Sequence, residues 1–185
     1  GLHRLKHAKR YSNQFDTICT NMAWTGYVMG TGRLAGPDPR EMAKSDCVVI
    51  WGNNPVSTQV NVMTHAVKAR KERGAKIIAI DIYANDTVAQ ADIGLLLKPG
   101  TDAALACAVM HVAFRDGYAD RDFMSKFSDK PSELESHLAT RTPEWAASIT
   151  GLTVEEIEEY FLKSEAGKDG LISLDELAAY YAKHH

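Results

Sequence analysis

Two unbroken apolar runs of strand length, "CVVIWG" at 47–52 and "KIIAID" at 76–81, flank the amphipathic stretch "VNVMTHAVKARKERG". A strand that is apolar at every position, rather than at every second one, has both faces covered. Two such strands joined by a helical crossover must run parallel, with the helix packed on one face of the sheet. The crossover spacing predicts a helix with basic residues in its last turns and Gly74 as its C-cap. A third apolar run, "ADIGLLLK", is followed by "DAALACAVMHVAFRDG", whose apolar residues nearly encircle a helix and predict burial on most sides. The order strand, helix, strand, short segment, strand, helix defines the fold class: α/β, a Rossmann-like parallel sheet with helices on both faces, followed by a small helical tail.

The flanking segments read less regularly. "GPDPREMAKS" is a turn and then a short helix entered through Pro39. "TNMAWTGYVMG" suits a short buried helix, since the glycines at 26, 30, 32 and 36 make a long one costly. Residues 118–160 divide into short helices, with start signals at Thr142-Pro143-Glu144 and at Leu152-Thr153-Val154-Glu155-Glu156. The expected domains are 1–117, an α/β unit; 118–160, a helical extension of it; and 161–185, a helix-loop-helix tail.

Ligands of parallel sheets bind beyond the carboxyl ends of the strands. Here those ends are "WGNNPVST", "DIYANDT" and "KPGTDAA". No GxGxxG follows the first strand and no GxxxxGK[ST] occurs anywhere, so an ordinary NAD or ATP site is not expected. Asn53, Asn54, Ser57 and Thr58 offer neutral donors at the start of a helix, where backbone N–H groups favour an anion. Asp81 ends a strand and is placed to accept from ribose hydroxyls. Asp102 opens a helix and has two readings: an N-cap, or a carboxylate that accepts N1–H and the exocyclic amine of a guanine edge.

The net charge of -3 argues against general nucleic-acid binding. The basic run "HRLKHAKR" reads as a solvated face or as a site for an anionic partner. Three cysteines without CxxC spacing fit a reduced compartment better than a disulfide scaffold. No apolar stretch reaches the length of a membrane span and no signal peptide is visible. A chain that starts at Gly1 fits a processed, trimmed or partial product, so cytoplasmic and periplasmic locations both stay open.

With these loops in place, the chain resembles the molybdopterin oxidoreductases of the dimethyl sulfoxide reductase family over about residues 1–159. The matching stretches are "SDCVVIWGNNPVSTQVNVMTHAVKARKERGAKIIAIDIY", "ADIGLLLKPGTDAALACAVMHVAFRDGYADRDF" and "RTPEWAASITGLTVEEIE". The resemblance implies the first of two related α/β domains that hold a bis(molybdopterin guanine dinucleotide) cofactor with molybdenum, used for two-electron redox or oxygen-atom transfer. It implies that Trp51, Gly52, Asn53, Asn54, Pro55 and Thr58 meet the phosphate and ribose region. Asp81, with Ile82 and Tyr83, then meets ribose or guanine. Lys98, Gly100, Thr101 and Asp102 form the last loop, where Asp102 reads the base. Cys19 stands where the family supplies a protein ligand to molybdenum, and a thiolate suits that metal; its plainer reading is a small buried residue. Cys47 and Cys107 read as core filler.

Family members usually have an amino-terminal segment, often with four cysteines for an iron–sulfur cluster, and further domains that complete the cofactor cage. The cluster is therefore expected only in parts outside this chain. The implied partners are the remaining domains or other redox subunits, and the isolated chain is expected to be inactive. The rival reading is a non-catalytic nucleotide-binding or truncated module with a structural or weakly calcium-binding tail.

From Phe161 the sequence resembles the second half of an EF-hand. Gly170 takes the sharp-turn position, Ile172 the hydrophobic eighth, and Asp169, Ser173 and Glu176 the fifth, ninth and twelfth. Glu165 in place of Asp at the first position and Gly167 at the third predict that calcium binds weakly or not at all. Ser173 also suits an N-cap of the last helix.

Overall fold

The computed structural model describes residues 4, 7, 8 and 18–160. Contacts divide the chain into two units, 1–38 and 39–185. In the first, helix α1 runs over Ile18–Thr31. It is longer and more exposed than the short buried helix expected from the sequence, with Met22 and Met29 mostly open to solvent. Interior glycines cost about 1 kcal/mol each, yet they keep their backbone N–H and do not break the ladder. The helix stops at Gly32, whose φ of +76° favours glycine.

The second unit opens with a 3-10 turn, Pro39–Lys44, and continues with β1 (Cys47–Trp51), α2 (Pro55–Thr58), α3 (Val60–Arg73), β2 (Lys76–Asp81), α4 (Asp86–Gln90), β3 (Ile93–Leu96) and α5 (Asp102–Arg115). Then come α6 (Arg121–Phe127), α7 (Pro131–Leu138), α8 (Pro143–Thr150) and a π-helical turn, Glu156–Tyr160. The three strands form one parallel sheet in the order β1-β2-β3. The α/β class, the parallel pairing and the helices on both faces are as expected.

The central strand β2 explains the layering. Its Ile78 and Ile80 enter a core with Leu95, Leu105, Ala108, Ala146, Leu152 and Ile157. Its Ile77 enters the opposite core with Val48, Ile50, Met63, Ala66 and Ala69 of β1 and α3. Each fully buried isoleucine contributes about 1.5–3 kcal/mol of apolar burial. So α3 covers one face, while α5, α8 and the final turn cover the other. The most deeply buried residues of α5 are Ala104, Leu105, Ala108 and Val112, with Val109 packed beside them and Met110 partly open. Ala103, Met110 and Arg115 are its exposed positions, and the rest of the helix is buried or partly buried, as expected.

Local signals account for the element ends. Gly74 caps α3 in the left-handed region at φ +73°, with its N–H on the carbonyls of Ala69 and Arg70. Thr142 accepts from the Trp145 N–H to start α8. Thr153 and Glu156 form a reciprocal capping box, with Thr153 N–H to Glu156 Oε2 at 2.8 Å and Glu156 N–H to Thr153 Oγ1 at 3.1 Å. Gly94 in β3 lets α4 approach closely, since a Cβ there would lie 2.7 Å from Val88 Cγ1.

Candidate functional site

Register makes the carboxyl edge of the sheet level. Trp51 pairs with Ile80, and Asp81 with Leu96. Gly52, at φ +60°, donates its N–H to Ile80 O at 2.8 Å, and Leu97 donates to Asp81 O at 2.9 Å. The three loops named from the sequence therefore leave the sheet at one height.

β1 alternates: Val48 and Ile50 face the α3 core, whereas Cys47 and Trp51 pack against the α5 core. That alternation brings the indole of Trp51 to the start of α5, where its Nε1–H donates to Asp102 Oδ1 at 2.8 Å. Thr101, at φ −108° and ψ 9°, holds the cap position of α5 without a side-chain cap. Its hydroxyl donates instead to Lys98 O at 2.6 Å. The N-cap reading of Asp102 is thereby corrected. Asp102 is the first helical residue and its carboxylate bonds to Trp51. Its second oxygen has no protein hydrogen bond among the described residues.

Asp81 sits at the end of β2 and is partly buried. Its Oδ1 accepts from the Ile82 N–H at 2.7 Å, and its Oδ2 accepts from Asn85 Nδ2 at 2.6 Å. Buried Asn85 is the N-cap of α4, where its Oδ1 accepts from the N–H groups of Thr87 and Val88 at 2.9 and 3.0 Å. The fully buried Thr87 hydroxyl accepts from the Val56 N–H at 3.2 Å and donates to Asn54 Oδ1 at 2.6 Å. A continuous polar chain, Asp81–Asn85–Thr87–Asn54, thus joins the β1 and β2 loops. Sequence reading did not single out Asn85 and Thr87. The available signal was an Asn-Asp-Thr triplet after a strand, which is N-cap chemistry.

The neutral donors of the β1 loop are partly taken up inside the protein. Asn53 donates to Gln59 at 3.3 Å, Ser57 to Asp86 at 3.5 Å and Thr58 to Asn54 O at 2.8 Å. The helix expected at this loop is split. Buried Pro55 opens the single turn α2, and α3 begins only after Gln59 at φ −143°. Ile82 and Tyr83 are exposed beside Asp81. Lys98 donates its N–H to Thr150 O at 2.9 Å, and its stem lies over Gly151. Gly100 takes φ +79° in the turn between β3 and α5.

Cys19 falls in the first turn of α1, and its side chain lies outside what the structure describes. Asp169, Ser173 and Glu176 lie outside the described residues. Cys47 and Cys107 are half-buried rather than fully enclosed. Among the described residues, no three His, Cys, Asp or Glu side chains group as a metal ion would need, and no helix is long and apolar enough to cross a membrane.

At the end of α5, the hydrogen bonds that Arg115 donates to Asp116 and Glu158 push its guanidinium pKa up, and the same bond holds the Asp116 carboxyl below its usual range. The Arg121 bond does the same for Glu135.

Residues 4–159 match the family model for molybdopterin oxidoreductases. The chain is 39% identical over 158 residues to "Probable oxidoreductase YoaE" of Bacillus subtilis, covering 85% of this chain and 23% of that protein. It is 33% identical over 146 residues to F420-dependent formate dehydrogenase 1 subunit alpha of Methanococcus maripaludis, covering 76% and 22%. It is 28% identical over 192 residues to dimethyl sulfoxide reductase DmsA of Escherichia coli, covering 91% and 23%. The chain thus spans about a quarter or less of the length of these relatives. Acetylene hydratase from Pelobacter acetylenicus shares the fold, with a TM-score of 0.64 at 24% identity over 76% of this chain and 19% of that one.

Proposed function

This chain belongs to the molybdopterin oxidoreductase family, and on that premise we propose that the carboxyl edge of its sheet binds the guanine dinucleotide part of a bis(molybdopterin guanine dinucleotide) cofactor. The observation that supports this reading most directly is the pair Trp51–Asp102. One carboxylate oxygen is fixed by the indole, so the group is aimed, and a fixed carboxylate is what a guanine edge with two adjacent N–H donors requires. Asp81, held by Asn85 and the Ile82 N–H, keeps acceptor lone pairs for ribose hydroxyls. Asn54 supplies an amide donor for a phosphate oxygen, and Gly52 keeps the β1 loop free of a side chain. Asp169, Ser173 and Glu176 enter only as a weak or absent calcium site.

When bound, the cofactor supplies molybdenum for two-electron redox or oxygen-atom transfer. The residues of this chain hold and orient its nucleotide end, and Cys19 is proposed as the thiolate ligand of the metal. Relatives named as a formate dehydrogenase and a dimethyl sulfoxide reductase favour redox chemistry. Their greater length favours further domains or redox subunits as partners of this unit. X-ray absorption of metal-loaded protein tests Cys19: Cys19→Ser should remove one sulfur neighbour from molybdenum, and an unchanged sulfur count excludes it as a ligand.

Isothermal titration of the purified chain with GDP and ADP tests the nucleotide reading. GDP should bind and ADP should bind at least tenfold more weakly, because adenine N1 turns a lone pair toward Asp102. Equal affinities, or no binding of GDP, would overturn the assignment.

A further inference from the structure

We infer that Thr87 is a positioning residue that sets Asn54 as a phosphate-directed donor and ties it to Asp81. This inference rests on the nucleotide reading above and adds to it a residue at the end of the β2 loop. Thr87 is fully buried, so its single hydroxyl proton must find an acceptor. The hydroxyl already accepts from the Val56 N–H at 3.2 Å. Its proton therefore goes to the other neighbour, Asn54 Oδ1, at 2.6 Å. That choice determines the Asn54 carboxamide: the carbonyl end faces Thr87, and the NH2 end becomes the group available to a ligand. Asn54 Nδ2 makes no hydrogen bond to the described residues, so the loop presents a donor and not an acceptor.

The backbone of the same residue is linked to the ribose-facing carboxylate. Asn85 Oδ1 accepts from the Thr87 backbone N–H at 2.9 Å, while its amide donates to Asp81 Oδ2 at 2.6 Å. One buried threonine thus holds two loops that meet different parts of one nucleotide. The phosphate end of the ligand meets the donor turned outward by Thr87, and the ribose end meets the carboxylate steadied by Asn85.

Titration of the purified chain with GDP and with guanosine tests this. Thr87→Val removes the hydroxyl, and GDP affinity should fall by about tenfold. Thr87→Ser restores the hydroxyl and should bind GDP within about twofold of the parent. Asn54→Asp keeps an acceptor for Thr87 but replaces the outward amide with a second carboxylate oxygen. It should lose GDP by at least tenfold while guanosine, which has no phosphate, binds as in the parent. This variant also decides the matter if Thr87→Val fails to fold. GDP binding by Asn54→Asp equal to the parent overturns the donor assignment, and equal binding by Thr87→Val overturns the role of Thr87. Either result leaves the nucleotide reading standing. Failure of the parent itself to bind GDP removes that reading and this inference with it.

Discussion

The indole N–H of Trp51 donates to a carboxylate oxygen of Asp102 at 2.8 Å, across 51 positions of sequence. The contact ties the end of the first strand to the start of the helix that follows the third. Trp51→Phe keeps the ring in the α5 core and removes only the donor. A net hydrogen bond to a charged group is worth about 1.5–3 kcal/mol, and partial exposure places this one near the lower end. The expected result is a modest loss of melting temperature together with weaker discrimination of guanine from hypoxanthine. A variant that discriminates as well as the parent would show that the indole merely packs.

Asp102→Asn tests the other partner. The asparagine oxygen can still accept from Trp51, which turns the amide NH2 toward the position of guanine N1–H. Two donors then face each other. GDP affinity should drop by roughly tenfold or more, while stability changes little, because Asp102 does not cap the helix. Unchanged affinity by calorimetry would leave Asp102 without a role in base recognition.

The parts of this fold that were legible in the sequence are those decided locally. β1 and β2 were readable because strands buried on both faces have no polar alternation, and α3 because Gly74 closes it. The carboxyl edge followed from parallel pairing alone, since any ligand loop of such a sheet must lie there. What stayed hidden depends on tertiary placement. Nothing near Asp102 in sequence announces Trp51, and the buried hydroxyl of Thr87 looks like any threonine early in a short helix.

Gly151 gives a prediction about stability. It ends α8 at φ +82°, and a Cβ there would lie 3.0 Å from Lys98 Cε. Gly151→Ala adds left-handed strain of about 1–2 kcal/mol and pushes the Lys98 stem aside. Since the neighbouring Thr150 carbonyl accepts from the Lys98 N–H, the strain reaches the loop before Asp102. Chemical denaturation should show the loss, and a midpoint equal to that of the parent would contradict the tight fit.

Asn85 is the most connected side chain at this edge, because it caps α4 with its oxygen and steadies Asp81 with its nitrogen. Asn85→Ala removes the cap, worth about 0.5–2 kcal/mol, and the donor to Asp81; about 2 kcal/mol in all corresponds to roughly 4–8 °C at this chain length. Asn85→Asp separates the two roles. It keeps the cap but sets a second carboxylate where an amide now sits 2.6 Å from Asp81 Oδ2. Two carboxylates that close share a proton, so one of them has a folded-state pKa raised above its unfolded value. The folded protein then binds more protons than the unfolded chain, and its stability falls as pH rises through that range. Asn85→Asp should therefore be clearly less stable than the parent at about pH 7, and the gap should narrow as pH falls toward about 4, where the shared proton turns repulsion into a hydrogen bond. Melting curves across that range decide it. A gap that stays constant with pH would mean that residue 85 and Asp81 do not touch in solution, and the polar chain from Asp81 to Asn54 would be broken at its first link.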